Sequence, residues 1–79
     1  ISTFPNPFAE SIRLDFDLTA FSTATTLRVY NVVGQQVEAV VLAKDATFVN
    51  IGQQLNKGIY LVRIETPEKV SQAVRIIKL

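Results

Sequence analysis

Apolar and charged residues alternate one for one along Ile12-Arg13-Leu14-Asp15-Phe16-Asp17-Leu18, and no long stripe of apolar residues recurs at a spacing of three and four anywhere in the chain. Successive side chains of a strand face opposite sides of a sheet, so this segment reads as a strand with one dry and one wet face. Further strands are expected over residues 25–32, 36–42, 46–51, 59–66 and 69–78. In the strand over 59–66, Tyr60, Val62 and Ile64 share one face and Leu61 and Arg63 the other. Turn chemistry separates these runs. In Asn31-Val32-Val33-Gly34, Asn31 can open a type I turn and Gly34 can take positive φ without a Cβ clash, which makes a tight hairpin. Asn56-Lys57-Gly58 and Pro67-Glu68 punctuate the chain in the same way. Short strands between turns specify an all-β fold, an antiparallel β-sandwich.

With 79 residues, the chain is read as one domain over residues 1–79, and a domain of this size buries only roughly 60% of its unfolded surface. It has no Cys, so no disulfide or thiolate metal site supports it and packing must suffice. Its net charge of +1 is too small to gather nucleic acid or to hold an anionic membrane surface. Residues 1–40 are net negative and residues 41–79 net positive. That imbalance could help dock an acidic receptor, but outward residues of the last strands that are simply solvated account for it. Pro5 and Pro7 interrupt the start with no basic region before an apolar run, unlike a signal peptide. No stretch approaches the roughly 18 apolar residues of a membrane span, and no membrane insertion is expected.

Catalytic chemistry is sparse. His, Cys, Met and Trp are all absent, which removes the commonest general base, the strongest nucleophile and the ligands of a zinc site. No base lies near Ser2, Ser11, Ser22 or Ser71 in sequence, and the three glycines cannot build a phosphate-cradling loop. Asp15 and Asp17 fall on one strand face roughly 7 Å apart and could share a calcium ion. No Asp- and Gly-rich loop completes such a shell, so a solvated face softened by Arg13 is the simpler reading. The aromatics Phe4, Phe8, Phe16, Phe21, Tyr30, Phe48 and Tyr60 suit core and rim packing better than a stacking platform. No enzyme, cofactor or metal is expected.

Four motifs nevertheless occur in order over nearly the whole chain. They are Phe4-Pro5-Asn6-Pro7-Phe8, the run from Leu27 through Tyr30 and Gly34 to Val37, the run from Leu55 through Gly58 and Tyr60 to Ile64, and the closing Val74-Arg75-Ile76-Ile77-Lys78. Together they resemble the type A C-terminal sorting domain of the type IX secretion system. The resemblance implies an immunoglobulin-like sandwich of about six or seven short strands. It also implies a non-catalytic signal that directs an attached N-terminal cargo from the periplasm across the bacterial outer membrane to the cell surface or medium. The implied partners are the translocon and a sortase-like peptidase that usually removes the domain. The family often has Tyr where this chain has Phe4, which keeps the aromatic ring.

Each motif also has a physical reading. Pro5 and Pro7 fix φ and restrict their predecessors, so residues 1–8 should form an extended, stiff entry that plants its aromatics on the sandwich. Gly34 and Gly58 should set hairpin register, and Tyr60 should anchor inward with its hydroxyl at the rim. The apolar segment over 69–79 should form a terminal edge strand, open to a receptor by strand addition or to a second copy as a homodimer. Arg75, Ile76, Ile77, Lys78 and Leu79 are the candidate recognition residues, with an ordinary edge strand as the alternative. A structural or adhesive sandwich that binds carbohydrate or protein is the competing function.

Overall fold

The computed structural model describes residues 2–17, 25–67, 70 and 73–79. Among these residues, seven strands form two antiparallel sheets: β1 (Ser2–Phe4), β2 (Ile12–Asp15), β3 (Thr25–Tyr30), β4 (Gln36–Leu42), β5 (Phe48–Ile51), β6 (Gly58–Glu65) and β7 (Val74–Lys78). One sheet has the order β1-β2-β5 and the other β4-β3-β6-β7. Their inner faces close on one apolar cluster, as an immunoglobulin-like sandwich requires.

Alternation decides what enters that cluster. Leu27 and Val29 of β3, Tyr60, Val62 and Ile64 of β6 and Ile76 of β7 point inward, and Ile12, Leu14 and Ile51 meet them from the other sheet. Leu61 and Arg63 of β6 face outward, as their parity requires. Burying such side chains stabilises by roughly 1.5–3 kcal/mol each, and in a chain without disulfides this is the main source of stability.

The β3–β4 hairpin shows how a few residues set a register. Asn31 Oδ1 accepts from the backbone N–H groups of Val33 and Gln35 at 3.1 and 3.0 Å. Its carbonyl accepts from Gly34 N at 3.0 Å, and Gly34 closes the turn at φ +87°, a region other residues enter only with strain. The ladder shifts register between Val29 and Tyr30, which stand opposite Glu38 and Gln36, leaving Val37 as the extra residue of a bulge.

Some boundaries differ from the expectation. The alternating run through Leu18 is a strand only to Asp15, although Phe16 N still donates to Thr47 O at 2.9 Å. Leu18 itself lies outside the described residues. β5 begins at Phe48 rather than at 46, because Ala46 N closes a turn on Ala43 O at 3.0 Å. The last strand begins at Val74. Before it, Val70 makes an isolated bridge to Glu65, and Lys69 is outside the described residues.

The entry segment is also not extended throughout. It pairs as a strand over Ser2–Phe4 and then bends over residues 5–7, where the Phe4–Pro5 and Asn6–Pro7 bonds are both cis. Only one of its aromatics is planted: Phe8 is 1% exposed, whereas Phe4 is 74% exposed.

Candidate functional site on the terminal strand

Period-two geometry divides β7 between two tasks. Ile76 and Lys78 are buried, while Arg75 and the following Leu79 are exposed and Ile77 is half-buried. On the outer face, Arg75 lies across from Leu61 and Ile77 across from Ile59. Leu61 in turn pairs with Tyr30, and Arg63 with Arg28. The outer face of the four-stranded sheet therefore mixes half-exposed aliphatics with arginines. Neither Arg63 nor Arg75 pairs with a carboxylate among the described residues.

Lys78 departs from the expectation that outward residues of the last strand are merely solvated. It points inward, and its Nζ donates to Glu10 O and Gly52 O, both at 2.7 Å, while lying 5.2 Å from the centroid of the Phe8 ring. A buried ammonium is tolerated only when its donors are matched, and two carbonyls with an aromatic face supply that match. One cation thus ties the last strand to the entry segment and to the loop after β5.

The outer edge of β7 is covered, which corrects the expectation of an unpaired edge open to strand addition or dimerisation there. Asn6 acts as a surrogate peptide group: Nδ2 donates to Arg75 O at 3.0 Å and Oδ1 accepts from Ile77 N at 3.1 Å. Beyond it, Phe8 N donates to Ile77 O at 2.9 Å and Leu79 N donates to Phe8 O at 2.8 Å, a short parallel pairing. An edge strand whose main-chain groups are matched in this way offers no template to another chain. The bend between Phe4 and Phe8 turns the entry segment onto that edge.

Gly52 completes the contact. Its φ is +93°, and a Cβ there would lie 2.6 Å from Phe8 Cε2, so the Phe8 ring sits directly on the glycine. Nothing in the sequence signals this contact, because residue 8 lies in the first motif, residue 52 lies outside all four, and only the folded chain joins them. Lys78 carried half a signal: its parity puts it on the face of Ile76, but the opposing sheet decides that this face is the inner one.

The other motif residues are structural in position. Tyr60 is buried and its hydroxyl donates to Asn56 O at 2.8 Å, an inward anchor with its polar end at the rim. Gly58 opens β6 at φ +153°. Tyr30 is half-buried and donates to Glu65 Oε2 at 2.6 Å, while Glu65 Oε1 lies 3.5 Å from Arg28 Nε. Donation to Glu65 holds the Tyr30 phenol above its usual range, with desolvation and the carboxylate charge adding to the effect. On the opposite sheet, Arg13 pairs with Asp15 at 3.0 Å and its guanidinium lies 4.0 Å from the centroid of Phe48.

These positions give the last strand a buried half that locks the fold and an outward half that is available for contact. The family model for a secretion system C-terminal sorting domain matches residues 2–78. No curated protein and no solved structure matches the chain.

Proposed function

The chain belongs to the secretion system C-terminal sorting domains, and acts as a type IX sorting signal that marks its cargo for the cell surface or for secretion; on that footing we propose that the signal is read at the outward residues of the last strand. The observation that carries this reading is the division of β7. Among residues 75–79, Ile76 and Lys78 are committed to the interior, whereas Arg75, Ile77 and Leu79 stand on the outer face or beyond it. The translocon would meet an arginine beside aliphatic side chains on a pre-formed sheet, a surface that needs little ordering on contact. Ile76 and Lys78 serve the signal indirectly, by fixing the strand that carries the other three.

Three further elements belong to the proposal. The attached cargo passes through the periplasm with the domain as its address. A sortase-like peptidase then removes the domain. The domain itself does no chemistry, consistent with a chain that lacks His and Cys.

The experiment fuses Ile1–Leu79 to the end of a periplasm-targeted reporter in a bacterium with a working type IX system. The intact fusion is compared with a double variant, Arg75→Glu with Leu79→Ser, whose positions are exposed and whose folding is checked by circular dichroism. Export of the intact fusion with periplasmic retention of the folded double variant supports recognition at the last strand. Equal export of both would overturn it and leave the family function standing.

A further inference from the structure

Arginine stands directly opposite arginine in the middle of the four-stranded sheet, where Arg28 of β3 pairs in register with Arg63 of β6. Cβ atoms in that position lie roughly 4.5–5.5 Å apart, and like charges there are destabilising. Arg75 of β7 adds another guanidinium: its cross-strand partner is Leu61, two residues before Arg63, so it lies diagonally from Arg63 at roughly 7–8 Å. Glu65 is the one carboxylate on this face among the described residues, and it is already engaged by the Tyr30 hydroxyl and by Arg28. The face therefore carries a net +2, against +1 for the whole chain, so the positive charge is gathered here. Proteins depart from such pairing rules chiefly at functional sites.

We infer that the outer face of the four-stranded sheet binds an acidic polypeptide segment of a protein partner, with its carboxylates seated on Arg63 and Arg75. Each guanidinium offers a planar fork that matches both oxygens of a carboxylate. Two features select a polypeptide over an anionic lipid or a phosphate group. The arginines are interleaved with the aliphatic side chains of Ile59, Leu61 and Ile77, of which the first two are exposed and the third half-buried. Arg63 also forms one wall of an open hollow of about 310 Å³ with Tyr30, Val32 and Leu61, which gives an apolar side chain room beside the carboxylate. A segment in which acidic and apolar residues alternate meets both features. A net charge of +1, by contrast, supplies no long-range field to draw the domain to a charged bilayer. The inference deepens the reading of the last strand proposed above: it rests on that reading for Arg75 and adds Arg63, which lies outside that strand.

The probe is a short synthetic peptide alternating Glu with Leu, titrated into the full chain and followed by backbone amide NMR shifts. Shifts are expected at Leu61, Arg63 and Arg75, with binding that weakens as salt rises. The same peptide with Gln in place of Glu should cause none. Arg63→Glu removes an attraction and adds a repulsion, each worth up to about fivefold at an exposed site, so binding roughly tenfold weaker is expected. Arg63→Lys should keep most of the affinity. Because Arg63→Glu also sets opposite charges across from each other at Arg28, its urea midpoint should be no lower than that of the unmodified chain. Export of the reporter fusion should follow binding, lost with Arg63→Glu and kept with Arg63→Lys. Normal export of Arg63→Glu beside retention of the last-strand double variant would overturn the inference and leave the last-strand reading intact. Binding to phosphatidylglycerol vesicles without shifts from the peptide would overturn it in favour of a lipid surface. So would a lowered urea midpoint for Arg63→Glu, which would make Arg63 a structural residue.

Discussion

A methyl group at Gly52 would have to occupy space already filled by the Phe8 ring, 2.6 Å away at its nearest atom, on a backbone at φ +93°. At Gly34 the backbone conformation is similar, φ +87°, but a Cβ would meet nothing within 4 Å. The two glycines separate conformational from packing cost. Gly34→Ala should destabilise by about 1–2 kcal/mol through the left-handed backbone alone. Gly52→Ala should cost about 2–5 kcal/mol, because overpacking adds about 1–3 kcal/mol to that strain. Urea denaturation of both variants tests this, and equal losses would mean that Phe8 moves aside freely. The difference also marks what single residues disclose: a glycine in a turn between two alternating runs announces itself, whereas one beneath a distant ring does not.

Tyr30 provides a pH-dependent case at the same scale. Its phenol is held above the ordinary range by donation to Glu65, so the unfolded chain releases this proton at a lower pH than the folded one. The sign follows from linkage: the contribution is fully present below the unfolded value of about 10 and is lost as pH rises through the higher folded value. Tyr30→Phe should therefore be less stable than the unmodified chain at neutral pH, and the gap should narrow above about pH 10. Denaturant midpoints measured for both across that range test the point. A gap that stays constant would show that the hydrogen bond to Glu65 does not govern the titration.

At the scale of elements, the most consequential contact is the one the entry segment makes with β7. The Asn6 side chain occupies the place of a neighbouring strand, and Phe8 continues the pairing through its backbone. Asn6→Ala removes a donor and an acceptor at once, leaving Ile77 N and Arg75 O to water at the open edge. A loss of about 1–2 kcal/mol is expected, and hydrogen exchange should localise it. The Ile77 amide should exchange faster in the variant, while the Leu79 amide, held by Phe8 O, should change less. Equal acceleration of both would show that Asn6 holds the whole segment in place.

The elements also differ in how legible they were. β3 and β6 alternate cleanly and are bounded by Asn31 and Gly58, so local pattern and tertiary burial agree there, whereas in β4 the bulge at Val37 and the run Val40-Val41-Leu42 blur the alternation. The pairing of β1 with β2, and of residue 6 with residues 75 and 77, depends on contacts some ten to seventy positions apart. Periodicity carries no such information. The prolines flagged a rigid segment, but where its bend aims Asn6 is decided by the sheet it meets.

Across the whole molecule, the first and last described segments form one structural unit, locked from beneath by Lys78 and Phe8 over Gly52. The candidate recognition residues follow from this arrangement only in part. Their place on a final strand was readable, but the division into buried Ile76 and Lys78 and outward Arg75, Ile77 and Leu79 needed the opposing sheet to define an inside. That division changes what a deletion can reveal. Removing residues 75–79 strips Ile76 from the core, which alone costs about 2–5 kcal/mol by analogy with Ile→Ala. It also exposes the edge of β6 and leaves Phe8 and Asn6 without partners. A domain of this length has a total stability of about 4–12 kcal/mol, so the truncated chain should show no cooperative unfolding transition. Lys78→Met keeps the stem but leaves Glu10 O and Gly52 O unmatched; it should fold with a loss of about 1–3 kcal/mol. Arg75→Ala should stay within about 0.5 kcal/mol of the unmodified chain. Thermal and urea unfolding followed by circular dichroism would rank the three. A truncated chain that kept a full cooperative transition would show that the last strand is an appendage, and a deletion could then be read as loss of signal alone.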